Sequence, residues 1–294
     1  MIPSLTPGQA REEAKRIEDF LSQHLHPDGK AVVGLSGGID ADVVARLTCR
    51  AIGPDRLKLF IVIQEDLENK FRINARNTAA SLGVPLVEID LSHLSLPLLS
   101  AIAAADPDER FRIDGLLDPA RIKSSLRTSV FSTYVERGYV VIGTSNRSEY
   151  ELGFFIPLGD GAWHLGPIAH LYKSQVFAMA RYLDCAEEVI SQQPSGGFWK
   201  GETDLEDLSF WLLHGEPVRE DRNWSPEEMS NVSRIHRILT FEVIDAVLSQ
   251  LTTQPDDQII GNLVGIPLDI VSRIRRLVQQ AGQIKRRPLR LSLS

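Results

Sequence analysis

Cysteine is scarce in this chain, and the features that mark zinc-binding, secreted or membrane-spanning proteins are missing with it. Only Cys49 and Cys185 occur among 294 residues, and their spacing fits neither a disulfide framework nor a zinc ribbon. Residues 1–21 lack the apolar core of a signal peptide, and no apolar run has the length that a bilayer span needs. We therefore expect a cytoplasmic protein without a membrane partner.

Positive charge is also in deficit. The chain has 32 lysines and arginines against 39 aspartates and glutamates, which gives a formal net charge of −7. This balance argues against a global electrostatic grip on nucleic acid, so an anionic ligand must be held by a local site. The seven histidines show no HExxH or similar ligand spacing. We expect no nucleic-acid partner.

The hydrophobic pattern predicts an α/β fold. Thr6 and Gln9 have the spacing of a capped helix start, and helical periodicity continues to about His24. Strand-like and helical segments then alternate, which predicts a doubly wound parallel sheet with helices on both faces. Beyond residue 165 helical patterns dominate, so we expect a helical C-terminal part within a single domain over 1–294. The predicted strands are 31–35, 57–63, 85–91 and 139–143, with helices that include 69–83 and 121–137.

A glycine-containing junction, SGGID at 36–40, stands between the first strand and the next helix. Its backbone N–H groups and its serine hydroxyl can hold a phosphate, with help from the positive end of the helix. Neither G-x-x-x-x-G-K-[ST] nor G-x-G-x-x-G is present, so the common nucleotide loops do not explain the glycines. Asp40 could hold a Mg²⁺ ion that bridges phosphates. The alternative is an ordinary strand-to-helix turn with a capping serine.

A second polar junction, GTSNRSE at 143–149, follows the fourth strand. In open parallel sheets, ligands bind beyond the carboxyl ends of the strands, near the place where the strand order reverses. We therefore predict a binding site that both junctions share.

These motifs carry a resemblance. The strand-SGGxD-helix arrangement is similar to the pyrophosphate loop of the ATP pyrophosphatases, which split ATP into AMP and pyrophosphate. Residues 143–183 resemble the ammonia-dependent NAD synthetases, whose pattern runs GT-x-N-x-[SA]-E, G-[FY]-F, GDG, NP and L-x-K-x-Q. The likeness continues through 192–208 and ends at 284–291. It covers about the whole chain and implies an adenine nucleotide alpha hydrolase-like fold.

The resemblance also implies an activity. An AMP-forming carbon–nitrogen ligase of this family uses ATP and Mg²⁺ to adenylate the carboxylate of nicotinic acid adenine dinucleotide, and ammonia then displaces AMP to give NAD. The family implies a homodimer. Because the chain contains no glutaminase domain, ammonia would be free or would come from a separate donor protein.

The resemblance assigns roles to individual residues. Asp40 and Glu149 are the magnesium pair, and Ser36, Asp40, Asp160 and Lys173 are the catalytic set. Ser195 lies in a loop that the family orders over bound ligands. The implied ATP-binding residues are Gly34, Leu35, Ser36, Gly37, Gly38, Ile39, Asp40, Arg127, Thr144, Lys173 and Ser195, and the implied substrate-binding residues are Lys123, Asp160, Lys285 and Arg286.

Without the resemblance, three of these residues have ordinary interpretations. Glu149 could be a carboxylate favoured by a helix dipole, and Asp160 could be a plain turn residue between Gly159 and Gly161. Lys173, at the start of a helix, could be solvent-facing.

The sequence departs from the family pattern mainly on the acceptor side. Five positions differ from the family's usual residues. This chain has Ala41 where the family has a serine, Ser125 where it has an arginine, Gly197 where it has an aspartate, Ser209 where it has a glycine and Ile284 where it has a histidine. A relative that amidates a different carboxylic acid in a dedicated biosynthetic pathway therefore stays open.

Two further classes are weighed. Residues 263–278 could form a helix-turn-helix, with basic residues between Arg273 and Arg290. A sulfur-transferring tRNA enzyme is also conceivable within the wider group, although Cys49 and Cys185 suit it poorly. The acidic overall charge disfavours the first of these, the nucleic-acid binder.

Overall fold

The computed structural model describes residues 4–215, 218 and 222–282. The predicted strands are confirmed to within one residue at each end, and all four pair in parallel in the order β3-β2-β1-β4. The strands are β1 (Lys30–Gly34), β2 (Leu57–Ile63), β3 (Leu86–Asp90) and β4 (Tyr139–Ile142).

The described residues also form thirteen α-helices. The predicted first helix and its Thr6–Gln9 capping box are confirmed. The helices are α1 (Pro7–His24), α2 (Ile39–Ile52), α3 (Asn69–Leu82), α4 (Ser95–Ala105), α5 (Leu117–Val135), α6 (Arg147–Leu152), α7 (Lys173–Tyr182), α8 (Glu187–Ile190), α9 (Asp204–His214), α10 (Pro226–Ile238), α11 (Phe241–Leu251), α12 (Asp257–Val264) and α13 (Leu268–Ala281).

Helices cover both faces of the sheet, as the hydrophobic pattern predicts. Along β1, Ala31 and Val33 are buried with side chains of α1, α2, α3 and α7. The intervening Val32 is buried with Val130 of α5 on the opposite face. This alternation follows from the two-residue side-chain period of a strand. The chain runs from β1 outward to β3 and then returns past β1 to β4, so the strand order reverses between β1 and β4.

The C-terminal helices have a core of their own. Side chains of α9 to α13 pack with Leu152 of α6 and with Tyr172, which precedes α7. Beyond β4, the described residues are helices and loops apart from one isolated bridge between Ile142 and Leu165. No helix of the described part is both long and apolar enough to cross a membrane. Cys49 and Cys185 are free thiols.

Candidate functional site

A cavity of about 520 Å³ lies at the carboxyl ends of β1 and β4, where the strand order reverses. Most residues that the sequence singled out line it. Gly37 and Lys123 are not part of its lining, and Lys285 and Arg286 fall outside the described residues. The lining includes Gly34, Leu35, Ser36, Gly38, Ile39, Asp40, Arg127, Thr144, Glu149, Asp160, Lys173 and Ser195.

The loop after β1 has a backbone that only glycine fits. Gly37 has a φ of +83°, and a Cβ there would lie 2.1 Å from the carbonyl oxygen of Phe71. From α3, the Asn74 side chain donates to the Gly37 carbonyl at 3.3 Å and to Gln192 Oε1 at 3.0 Å. Gly37 is therefore held against α3, while the neighbouring Ser36 is exposed.

The helix that follows this loop has an open N-terminus. Gly38 is the N-cap of α2, and no side chain caps the helix. Ser36 Oγ accepts from the Gly38 N–H at 3.3 Å, so it shapes the loop and is not the helix cap. The capping-serine alternative is therefore wrong. Because the first N–H groups of a helix lack intrahelical partners, this end of α2 can receive an anion.

Lys173 is the charged centre of the site. It is the first residue of α7 and is only 1% exposed, so the solvent-facing alternative is wrong. Its Nζ donates to Asp40 Oδ2 and lies 3.8 Å from Glu149 Oε1. Burial by itself lowers the pKa of Lys173, but the attraction of Asp40 and Glu149 outweighs burial and the pKa is raised. The lysine is thus a fixed cation between two carboxylates.

Asn146 joins the same two carboxylates, a role that our sequence analysis did not assign. The side chain is fully buried, and its Nδ2 donates to Asp40 Oδ1 at 3.0 Å and to Glu149 Oε1 at 2.7 Å. It is also the N-cap of α6 in a capping box with Glu149. The asparagine of GTSNRSE and its three-residue spacing from a glutamate were the available signal. Glu149 is therefore both a helix-start residue and a wall of the site.

The Asp40–Glu149 pair has the donor chemistry of a magnesium site. Burial, together with repulsion from Asp40, raises the pKa of Glu149, so a cation bound beside the two carboxylates would favour the charged form of Glu149. No group of three or more His, Cys, Asp or Glu side chains in the described ranges could hold a metal ion. A Mg²⁺ ion here would thus take its remaining ligands from water and phosphate, as this ion commonly does.

Three more carboxylates, Glu202, Asp204 and Asp207, line the cavity beside Lys173. Burial raises the pKa of Asp204 to about 7, against the attraction of Lys173. Burial and repulsion from Glu202 raise the pKa of Asp207 to about 8. These three residues have no predicted role, although they stand in the GETDLED stretch that belongs to the resemblance.

These raised pKa values predict that the nucleotide-free protein loses stability as pH rises. A folded-state pKa of about 7 for Asp204 lies above its ordinary value of 3.8, so its protonation favours the folded state. That contribution, up to about 4 kcal/mol, is complete below pH 4 and is lost as the pH passes 7. For Asp207 the loss extends to about pH 8.

Urea unfolding between pH 5 and pH 8.5 measures this effect. The free energy of unfolding should fall across the range, and Asp204→Asn should flatten the fall. Asp55→Asn, at an exposed position, should leave the slope unchanged. A slope identical in wild type and Asp204→Asn contradicts the assignment.

Two cations of α5 meet the loop at 195–198. The Arg127 guanidinium lines the cavity, donates to the Gly196 carbonyl at 3.3 Å and stacks 4.7 Å from the Phe198 ring centroid. Lys123 is buried and donates to Asp66 Oδ2 at 2.9 Å and to the Phe198 carbonyl at 3.0 Å. The structure thus brings Arg127 to the cavity, while Lys123 holds the loop from outside it.

Ser195 and Asp160 both line the cavity. Ser195 Oγ accepts from the Gly197 N–H at 3.0 Å and is 3.3 Å from Glu202 Oε2. Asp160 Oδ1 accepts from the Ile156 N–H at 2.8 Å, and burial raises the pKa of Asp160. Asp160 therefore stabilises its own turn, as the ordinary interpretation expects, and also lines the cavity.

Another part of the cavity is apolar. Phe60, Phe131, Val141 and Trp163 line it next to the carboxyl end of β1. Trp163 packs so closely on Gly143 that a Cβ there would lie 2.3 Å from Trp163 Cγ. Flat aromatic walls beside an anion-binding loop suit a nucleotide base with its phosphates.

The segment 263–278 contains the last two residues of α12, a turn at Gly265 and most of α13. Its arginines nevertheless serve internal contacts. Arg273 donates to the carbonyls of Leu212 and Leu213, and Arg275 pairs with Asp257. The geometry therefore does not favour a nucleic-acid interface at these two residues.

Comparisons with known proteins agree with one another. A family model described as NAD synthase matches residues 13–237. The NH3-dependent NAD+ synthetase of Methanococcoides burtonii is 31% identical over 264 residues, which are 88% of this chain and 86% of that protein. The protein of the same name from Carboxydothermus hydrogenoformans is 35% identical over 215 residues, 70% of this chain and 86% of that one.

Solved structures show the same fold. NMN synthetase from Francisella tularensis aligns over 99% of both chains, with a TM-score of 0.69 and 24% identity. NAD+ synthetase from Burkholderia pseudomallei aligns over 93% of this chain and 89% of that one, with a TM-score of 0.62 and 24% identity.

Proposed function

The chain belongs to the NAD synthase family, and on that premise we propose that its cavity catalyses the ATP-dependent amidation of nicotinic acid adenine dinucleotide. ATP and ammonia are the other substrates, and the products are NAD, AMP and pyrophosphate. The observation that carries the proposal is a convergence. An uncapped helix N-terminus, a buried lysine and a carboxylate pair from two neighbouring strand ends meet in one cavity.

Each group has a task in the first step. The acceptor carboxylate attacks the α-phosphorus of ATP. The bond between this phosphorus and the oxygen that bridges it to the β-phosphorus breaks, and pyrophosphate leaves. The loop at Ser36–Gly38 and the N–H groups at the start of α2 receive the departing pyrophosphate. Lys173 supplies a positive charge that is already in place, so little reorganisation is needed as charge develops. Catalysis here consists of positioning and electrostatic stabilisation.

Ammonia completes the reaction. It attacks the carbonyl carbon of the acyl adenylate, AMP leaves with the bonding electrons, and the nitrogen loses one proton to solvent. No covalent bond to the protein forms in either step. Asp40 and Glu149 would hold Mg²⁺, which would neutralise the phosphate charge. The apolar walls at Phe60 and Phe131 would hold the adenine base.

Several finer points stay predictions. They are the magnesium requirement, the homodimer, the cytoplasmic location, the single domain over 1–294 and a possible separate ammonia donor. The roles of Lys285 and Arg286 belong with them. Lys123 is better explained as a support of the 195–198 loop, because its Nζ is engaged by Asp66 and Phe198.

The function is tested by following AMP release from ATP, Mg²⁺ and ammonium with a panel of acids. The panel contains nicotinic acid adenine dinucleotide, nicotinic acid mononucleotide and unrelated carboxylic acids. AMP formation with the dinucleotide and conversion of it to NAD support the proposal. AMP formation only with another acid keeps the ligase chemistry and changes the acceptor. Protection of labelled DNA with no turnover of ATP contradicts the enzyme assignment.

The carboxylate pair has its own test. Asp40→Asn or Glu149→Gln should lower Mg²⁺-dependent turnover about 100-fold or more, because each removes one charge from the site. Circular dichroism should show an intact fold, and the exposed Asp55→Asn should keep wild-type activity. Undiminished turnover in either variant would show that the substituted residue does not hold the metal ion.

A further inference from the structure

We propose that Asp245, on α11, is a positioning residue that fixes Lys173 and Glu149 from outside the cavity. This inference rests on the proposed function. Asp245 belongs to the C-terminal helices and is fully buried. It is not part of the cavity lining, so it touches neither nucleotide nor acceptor.

The carboxylate of Asp245 has two hydrogen-bond donors on two different segments. Its Oδ2 accepts from the Ser174 N–H at 2.8 Å, and its Oδ1 accepts from the Ser148 hydroxyl. The same Ser148 Oγ accepts from the Lys173 N–H at 2.9 Å. The first two N–H groups of α7, which have no intrahelical partners, are thus satisfied by one carboxylate and one hydroxyl.

This arrangement fixes the origin of the Lys173 side chain. Because the lysine N–H is tied to Ser148 and the next N–H to Asp245, the first turn of α7 cannot shift without breaking buried hydrogen bonds. The Nζ that meets Asp40 is carried on that turn. A negative charge at a helix N-terminus is also electrostatically favourable.

The same contact fixes Glu149. Ser148 precedes Glu149 on α6, so the hydroxyl that bonds Asp245 sets the position of the residue beside it. The two side chains diverge, Ser148 toward Asp245 and Glu149 toward Lys173. One buried carboxylate therefore ties α6 to α7 and links both to the core of the C-terminal helices.

A carboxylate is the side chain that this position requires. Two donors approach its two oxygens at once, whereas an asparagine offers one acceptor and a leucine offers none. Burying a charge is costly unless it is hydrogen-bonded, so its presence at full burial indicates that the two contacts matter for local geometry.

The experiment compares Asp245→Asn and Ser148→Ala with wild type. AMP release gives kcat and the KM for ATP, and thermal melting gives the loss of stability. The matched control is Asp256→Ala, since Asp256 is also a helix-capping carboxylate of the C-terminal part and accepts from the Gln258 N–H at 2.8 Å. Ser148→Ala removes the hydroxyl that joins Asp245 to the Lys173 N–H and keeps the buried carboxylate. It therefore tests the connection between Asp245 and Lys173 even where Asp245→Asn fails to fold.

Positioning predicts that kcat falls about 10- to 100-fold in both variants. The KM for ATP should change far less, and the control should stay within about twofold of wild-type kcat at a comparable loss of melting temperature. A wild-type kcat in a folded Asp245→Asn or Ser148→Ala protein overturns the inference.

A second measurement does not depend on activity. An amine-reactive ester followed by peptide mass spectrometry reports the access of reagent to Lys173, which is 1% exposed in the structure. Labelling of Lys173 should rise at least about fivefold in Asp245→Asn and in Ser148→Ala, because both substitutions loosen the first turn of α7. It should stay low in Asp256→Ala. Unchanged labelling overturns the inference. If the wild-type protein is inactive but the labelling of the variants changes as expected, the proposed function is refuted and the positioning role of Asp245 stands.

Discussion

Lys173→Met is expected to lower kcat for AMP formation about 1,000-fold, because it removes the preplaced cation opposite the departing pyrophosphate. It should also destabilise the protein by about 3 to 5 kcal/mol, since Asp40 and Glu149 lose the charge that compensates them. Steady-state AMP release and urea unfolding at pH 7.5 measure the two effects. Both come from one substitution because the same Nζ serves the fold and the reaction.

The matched control is Lys15→Met. Lys15 pairs with Asp19 on the exposed surface of α1 and has 69% of its side chain exposed, so its loss should leave both the free energy of unfolding and kcat close to the wild-type values. Lys173→Arg keeps the charge but places a larger planar group in a fully enclosed position, so partial activity at most is expected. Near-normal kcat in Lys173→Met would remove the lysine from the reaction.

Gly37→Ala is expected to weaken ATP binding and turnover together, by about 100-fold in kcat/KM. Alanine at φ +83° is strained, and its Cβ would lie 2.1 Å from the Phe71 carbonyl oxygen, which belongs to the backbone of α3. The loop must move away from α3, and the N–H groups aimed at the phosphates move with it. Calorimetric titration with a non-hydrolysable ATP analogue and AMP-release kinetics measure the loss.

Gly53→Ala separates strain from displacement. Gly53 has nearly the same φ, +82°, but a Cβ there has nothing within 4 Å. Alanine at this position should cost about 1 to 2 kcal/mol of stability and leave kcat/KM unchanged. Equal kinetic effects of the two substitutions would mean that the close contact with Phe71 is not what holds the loop.

The local pattern of the chain was sufficient to predict the sheet. Each strand is an apolar run flanked by turn residues, and the strands were placed correctly because buried parallel strands need that composition. The switch point followed from alternation and from the polar residues after β1 and β4. The predicted bounds of α5, 121–137, differ from the observed Leu117–Val135 because no side chain caps the start of this helix.

Two ordinary interpretations of single residues failed, each for its own reason. Ser36 fails as a helix cap because its hydroxyl accepts from the Gly38 N–H within the loop itself. Lys173 fails as a surface lysine because its position depends on Asp40 and Glu149, which are distant in sequence. The family resemblance corrected Lys173 in advance because it carries information about tertiary contacts that a single pattern lacks.

The sequence by itself determined the strands and the glycine loop, because these depend on local periodicity and on motifs of fixed spacing, and through the family resemblance it also indicated twelve of the residues that line the cavity. Only the tertiary structure decided that Asn146 bridges Asp40 and Glu149, that Lys123 turns toward Asp66, and that Asp245 holds the start of α7. The contacts of Lys123 with Asp66, of Asp245 with Ser174 and of Asn146 with Asp40 join residues 57 to 106 positions apart. Hydrogen bonds and charge compensation at such separations depend on how the helices pack, which no local pattern encodes.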